Sequence, residues 1–216
     1  MLAFLLSTVA ISLSGVMAPG PITAATLAAG ARSRHAGAMI ALGHAVVEIP
    51  LIFLLVLGVG RFLESTPARI GIGLAGGVVL LLMGLQLLLS IRNQCAGADA
   101  PVQRHPLVIG IVLTAANPYF LVWWATVGLA LATRAVEFGV LMLGLFAVVH
   151  WLCDLGWLEV LSFAGFKGSE VFGRRAQNLI SVVCAAMLLG FGMKFVYDAA
   201  IEANTLLAHV AVLKFG

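Results

Sequence analysis

Two histidines and two carboxylates stand at helical spacing inside apolar stretches of the chain. His44 is followed four residues later by Glu48, and His150 is followed four residues later by Asp154. In a helix this spacing places both members of a pair on one face. Histidine titrates near neutral pH, so a histidine beside a carboxylate can take up and release a proton. We therefore predict that these four residues exchange protons as part of the protein's function.

The same four side chains permit two other interpretations. Imidazole and carboxylate groups are also ligands for divalent metals such as zinc. Alternatively, each histidine bonds only the acid of its own helix and holds the helices together. Ionisable groups inside apolar stretches are costly and usually face a cavity or one another. We therefore favour proton or substrate handling and assign no metal ligand and no cofactor.

A second group of candidate residues surrounds two proline breaks. Pro19-Gly20-Pro21 interrupts the first apolar stretch, and Asn117-Pro118 interrupts the fourth. Proline lacks an amide donor and ends a preceding helix, while asparagine before proline favours the start of a new helix. In lipid, such freed backbone groups persist only where they are buried in protein or line a cavity.

Each break therefore predicts a half-helix that begins inside the membrane. A helix N-terminus carries free amide groups and a partial positive charge, which suit a substrate carboxylate. The alternative is a plain kink, which proline also produces in membrane helices. The predicted substrate-binding residues are those of the two breaks and two that follow them: Pro19, Gly20, Pro21, Thr23, Asn117, Pro118 and Tyr119.

The composition identifies the medium in which these elements must lie. Of the 216 residues, 62% are hydrophobic and 10% are charged, and the mean hydropathy is +1.12. Soluble domains contain about 25% charged residues. The chain lacks the polar surface of a soluble enzyme, a nucleic-acid-binding protein or a disordered protein. It is expected to be an all-α polytopic membrane protein, with no enzyme activity and no nucleic-acid partner.

Six apolar stretches have the length of about 20 residues that a spanning helix needs. They are 2–31, 36–60, 67–91, 106–133, 136–165 and 176–200. The connections are short, so one transmembrane domain is predicted over 1–216. Odd-numbered loops contain seven Lys and Arg residues and even-numbered loops three, which predicts cytoplasmic odd loops and both termini outside.

The two halves of the chain share features at a fixed offset. The two His/acid pairs are 106 residues apart, and so are Gly84 and Gly190. Apolar sequences align easily by chance, but a paired motif on matching spans is harder to obtain that way. We therefore predict two repeats, at about 1–95 and 106–200. Because each repeat has three spans, the second must be inverted, as in many secondary transporters.

These motifs together resemble the LysE/RhtB-type amino-acid exporters. The resemblance rests on Pro19-Gly20-Pro21 before an Arg-bearing loop and on Asn117-Pro118 in the fourth span. The segments Leu82-Met83-Gly84 and Leu188-Leu189-Gly190 are also similar to that family. The resemblance covers about 5–200. Two positions depart from it: Tyr119 stands where members often have lysine, and the second span has a His/acid pair where many have a lone acid.

The resemblance implies an exporter in the plasma membrane, the bacterial or archaeal cytoplasmic (inner) membrane. Its substrate would be an amino acid or a similar small metabolite, and its driving force the proton gradient. The expected partners are therefore a small-molecule substrate, protons and the lipid bilayer, with a homodimer left open.

Two related activities remain as alternatives. A divalent-metal exporter would require the four His and acid residues to converge. A transmembrane thiol-redox carrier would require paired cysteines in the two repeats. Cys153 and Cys184 have valines, Val47 and Val78, at the matching positions, which argues against redox chemistry.

Overall fold

The structure of the chain is a computed structural model, and it describes residues 1–18, 20–59, 65–95 and 104–215. Within those ranges the regular structure is entirely helical, without a strand. The helices are α1 Leu2–Val16, α2 Pro21–Gly30, α3 Ala36–Leu54, α4 Thr66–Cys95, α5 Pro106–Ala115, α6 Pro118–Trp123, α7 Leu129–Glu137 and α8 Val140–Phe215.

Two wide π-helical turns and one glycine modify these helices. The turn Leu55–Val59 follows α3, and the turn Trp124–Gly128 joins α6 to α7. Helix α8 is interrupted at Gly173, whose φ of 67° and ψ of −156° suit glycine far better than residues with a Cβ. The interruption divides α8 into two long apolar segments.

Five helical segments of the described chain are long and apolar enough to cross a membrane. They are Ala36–Gly58, Thr66–Leu89, Pro118–Glu137, Val140–Val171 and Asn178–Leu207. A sixth is obtained if α1 and α2, which meet at 80°, count as one broken span. The prediction of an all-helical membrane protein is confirmed. The exact set of six spans and the inverted repeat stay predictions.

Both proline breaks begin a new helix, as expected. Gly20 is extended, and Pro21 is the first residue of α2. At the other break, Asn117 precedes α6, and its Oδ1 accepts a hydrogen bond of 3.1 Å from the Tyr119 amide. The asparagine side chain thereby satisfies one of the amide groups that a helix start leaves free.

Glycines allow the helices around the centre of the molecule to cross closely. A Cβ on Gly37 of α3 would overlap the carbonyl oxygen of Leu158 in α8, and one on Gly110 of α5 would overlap that of Ile40. Small residues at such crossings allow the close packing on which membrane helices depend. These contacts fix α3 against α5 and α8, the three helices that carry most of the polar residues described next.

Candidate functional site

The two His/acid pairs meet in one cluster. His44 Nε2 lies 3.0 Å from Glu48 Oε1 and 3.7 Å from Asp154 Oδ1. His150 Nε2 lies 3.2 Å from Glu48 Oε1 and 3.5 Å from Asp154 Oδ2. All four residues are buried, and Glu48 is completely so. Each imidazole therefore faces both carboxylates, and α3 and α8 are joined through charge-bearing groups.

Two hydroxyl groups hold the outer nitrogens of the imidazoles. Thr114 Oγ1 lies 2.8 Å from His44 Nδ1, and Ser12 Oγ lies 2.7 Å from His150 Nδ1. The Thr114 hydroxyl donates its only hydrogen to the Gly110 carbonyl at 2.6 Å, so it accepts the hydrogen of His44 Nδ1. His44 Nε2 is thereby left to share a proton with Glu48.

Glu48 Oε1 is the centre of the cluster. Besides the two histidines, the indole Nε1 of Trp124 donates to it over 3.3 Å. Three nitrogens thus surround one carboxylate oxygen. The other oxygen, Oε2, and Asp154 Oδ2 are buried without a hydrogen-bond partner in the described chain. Such atoms are rare in folded proteins, so both carboxylates retain capacity for a proton or a cation.

A cavity of about 360 Å³ adjoins the cluster. Its walls include the four cluster residues and residues from both proline breaks. The predicted site residues that line it are Gly20, Pro21, Thr23, Asn117, Tyr119, His44, Glu48, His150 and Asp154. Pro118 lines a neighbouring pocket instead, and Pro19 lies outside the described residues. The structure thus brings most of the predicted site residues to one cavity.

Aromatic rings form much of the rest of the wall. The Trp123 ring stacks on His150 with centroids 5.3 Å apart, and Phe120 meets His44 edge-on at 5.1 Å. Both rings line the cavity. The cavity therefore combines charged groups with aromatic rings packed against them, and apolar walls with a few polar groups are the usual composition of a small-molecule site.

Sequence reasoning missed the three residues that hydrogen-bond to the cluster from other segments: Ser12, Thr114 and Trp124. Ser12 and Thr114 are hydroxyl residues inside apolar helices, and both are completely buried. A buried hydroxyl needs a hydrogen-bond partner, so these two residues could have been suspected of a role. Many such hydroxyls, however, bond only a carbonyl of their own helix. Trp124 stands in an apolar stretch, and nothing in its position along the sequence indicates that its indole reaches Glu48.

The same cluster has donor atoms that could hold a metal. One donor atom each from His44, Glu48 and Asp154 lies within 4.8 Å of the others. The hydroxyl bonds to both histidines resemble the outer-shell contacts that orient imidazoles in metal sites.

The thiol-redox alternative would need paired cysteines. In the described chain Cys153 and Cys184 are both free thiols.

Comparison with known proteins agrees with this architecture. No curated protein and no solved structure was found to match the chain. The family model described as LysE type translocator matches residues 13–199. This range includes the cluster and both breaks and most of the helical spans. The protein is thus a multi-pass membrane protein of the transport class, and the chain belongs to the family of LysE type translocators.

Proposed function

We propose that the protein exports amino acids or similarly small dipolar metabolites across a bacterial or archaeal cytoplasmic membrane, in exchange for protons. The observation that carries this proposal is the contact of Glu48 Oε1 with imidazoles from two different helices, His44 and His150. Family membership supports the transport of a small molecule. The cluster supplies groups that can carry the coupled proton.

The hydrogen bonds around His44 support a role in proton transfer. Because Nδ1 donates to Thr114, the 3.0 Å contact between Nε2 and Glu48 requires one hydrogen between nitrogen and oxygen. That hydrogen can move from the imidazole to the carboxylate without rearrangement of the helices. Asp154, 3.7 Å from the same nitrogen, offers a second acceptor, so the cluster can load or release a proton when its exposure changes.

The proposed substrate has a carboxylate and an ammonium group, and a different part of the site binds each. The free amides at the start of α2 suit its carboxylate. The two buried carboxylates, Glu48 and Asp154, suit its ammonium group. The ammonium group would supply the positive charge that the coupled proton supplies when the substrate is absent. The apolar wall formed by Trp123 and Phe120 accommodates a side chain. Competition between ammonium and proton for the same carboxylates is sufficient to couple the two fluxes.

The test is transport into proteoliposomes after a pH jump. Wild type is compared with Glu48→Gln and Asp154→Asn, and the matched control is Glu170→Gln, an exposed acid paired with Lys167 away from the cavity. We expect Glu48→Gln to lose gradient-driven accumulation. It should retain exchange of labelled for unlabelled substrate, because Asp154 and the amides at the start of α2 still bind the two ends of the solute. The substrate panel contains amino acids, dipeptides and metal salts.

Full accumulation by both variants would show that the cluster only holds α3 and α8 together. Transport that follows added zinc or manganese, in place of amino acids, would identify a divalent-metal exporter instead.

A further inference from the structure

A second pocket lies beside the cavity, between α4, α6 and the second half of α8. It encloses about 120 Å³, and its polar lining consists of Arg69, Tyr119, Asp198 and Glu202. Tyr119 also lines the central cavity, and within the described chain it is the one residue common to both walls. We call this second pocket the vestibule. Its position makes Tyr119 the partition between the two spaces.

The vestibule contains charges of both signs. Arg69 Nε lies 3.2 Å from Glu202 Oε1, and Lys194 Nζ, beside the vestibule, lies 2.6 Å from Asp198 Oδ2. Lys194 and Asp198 belong to the apolar span Asn178–Leu207. Ionisable residues inside a span usually face a cavity or a water-filled path rather than lipid. The two ion pairs therefore indicate that water reaches this side of the helix bundle.

These ion pairs can exchange their partners for a ligand. Side-chain exposures are 52% and 27% for Arg69 and Glu202, and 52% and 49% for Lys194 and Asp198. Ion pairs this exposed contribute little stability, so a solute that replaces one partner has little to overcome. A molecule with both a carboxylate and an ammonium group matches the two signs of charge. A simple anion or cation matches only half of them.

We propose that the vestibule is a second binding station for the transported dipolar solute, and that Tyr119 is the gate between it and the central cavity. Arg69 and Lys194 receive the carboxylate, while Asp198 and Glu202 receive the ammonium group. This inference rests on the proposed function, because it places a second stop on the route of the same substrate.

The contacts of Tyr119 suit a gate. Its backbone amide donates to Asn117, but the residue as a whole is 45% exposed. The ring is held edge-on by Phe195 at 4.9 Å, and Lys194 Nζ lies 5.5 Å from the ring centre. A carboxylate that draws Lys194 away removes one of these contacts. Arrival of the solute and release of the ring are thereby linked.

The binding test uses a single cysteine in the vestibule. Ile72→Cys is introduced after replacement of the three native cysteines, and its reaction with a methanethiosulfonate reagent is followed in proteoliposomes. The probe is a mixture of the twenty L-amino acids, and the comparison is an equal concentration of propionate plus ethylamine. At about ten times the Kd, occupancy should slow labelling about tenfold. Propionate and ethylamine should have a much smaller effect.

Arg69→Gln and Asp198→Asn should each remove most of this protection, and Glu170→Gln should leave it intact. Absence of protection in a protein that transports amino acids would overturn the second station, as would protection that survives both vestibule substitutions. The vesicles are also varied in lipid composition. Protection that appears in phosphatidylethanolamine vesicles but not in phosphatidylglycerol vesicles, whether or not the solute is present, would assign the pocket to a lipid headgroup and overturn the proposal.

The gate is tested from the side on which Ile72→Cys reacts. Reagent applied there should label Thr23→Cys in the central cavity faster in a Tyr119→Ala background, whereas Tyr119→Phe should leave the rate unchanged. Equal rates in all three backgrounds would refute the gate. Glu48→Gln should keep the solute protection of Ile72→Cys. If proton coupling at Glu48 is wrong, Glu48→Gln accumulates substrate normally. If the vestibule is wrong, the solute does not protect Ile72→Cys. The two failures are therefore distinguishable.

Discussion

Glu48 of α3 contacts His150 of α8 at 3.2 Å, almost as closely as it contacts His44 of its own helix at 3.0 Å. The contact joins the two His/acid motifs into one cluster. In the proposed function, a proton or cation bound there would be shared by two helices. We propose that its arrival or loss changes how α3 and α8 pack, and so couples charge to conformation.

The first prediction concerns the Thr114 hydroxyl. Thr114→Val keeps the volume but leaves His44 Nδ1–H buried without an acceptor, at an expected loss of about 1–3 kcal/mol of stability. The imidazole should then adopt its other tautomer more often. We expect the pH profile of transport to shift, as measured by pH-jump uptake in proteoliposomes.

The matched control is Thr26→Val, since Thr26 is also completely buried but its hydroxyl has no partner in the described chain. It should leave the pH profile unchanged. Identical profiles for both valine variants and wild type would contradict a positioning role for Thr114.

The second prediction concerns the crossing of α3 and α8. Gly37→Ala places a Cβ against the Leu158 carbonyl, and such overpacking costs about 1–3 kcal/mol. Gly156→Ala in α8 is the control, because a Cβ there meets nothing and alanine favours a helix by up to about 1 kcal/mol. Thermal unfolding in detergent should show a lowered Tm for the first variant only. An equal Tm for both would mean that the helices are not in close contact at Gly37.

The third prediction concerns a bond between helices at the start of α3. Glu159 of α8 accepts the Ala38 amide through Oε2 at 2.9 Å and contacts His35 Nδ1 at 2.6 Å. It thereby satisfies a free amide in the first turn of α3. Glu159→Ala should cost about 0.5–2 kcal/mol, as loss of a helix cap does.

Glu159→Gln should cost less than the alanine variant, since the amide oxygen can still accept from Ala38. Glu170→Ala, which removes only an exposed pair with Lys167, should change the stability by less than about 1 kcal/mol. Denaturant or thermal unfolding in detergent measures the stability lost in each of the three variants. A cost for Glu170→Ala as large as for Glu159→Ala would argue against the capping role.

The fourth prediction concerns orientation. The excess of Lys and Arg in odd-numbered loops places loop one in the cytoplasm and the connection between α7 and α8 outside. In a variant without native cysteines, an impermeant thiol reagent added to intact cells should label Glu137→Cys but not Ser33→Cys. Both positions are exposed. The reverse labelling pattern would invert the topology.

Several features of the protein were predictable because they depend on local chemistry. Helical spans follow from apolar length, so the composition alone predicts the membrane class. The helix starts at Pro21 and Asn117 follow from the missing amide of proline and the capping side chain of asparagine. The spacing of His44 and Glu48 on one face follows from the helical repeat. The motifs at the two breaks also sufficed to indicate the family.

The arrangement between helices could not be read from the same patterns. Periodicity states which residues share a face of one helix, but not which face of another helix it meets. The pairing of Glu48 with His150 depends on the approach of α3 to α8, which Gly37 permits and the surrounding apolar cores complete. The supporting bonds from Ser12, Thr114 and Trp124 come from three other segments of the chain.

The position of Tyr119 illustrates the same division. From the sequence, this residue follows a break and was predicted to line the substrate site. Only the packing of α4 and α8 against α6 decided that it also lines a second, charged pocket. The helices and the places where they break were predictable, because they depend on neighbours along the chain. Which charges meet was not, because it depends on contacts between helices whose residues are distant in sequence.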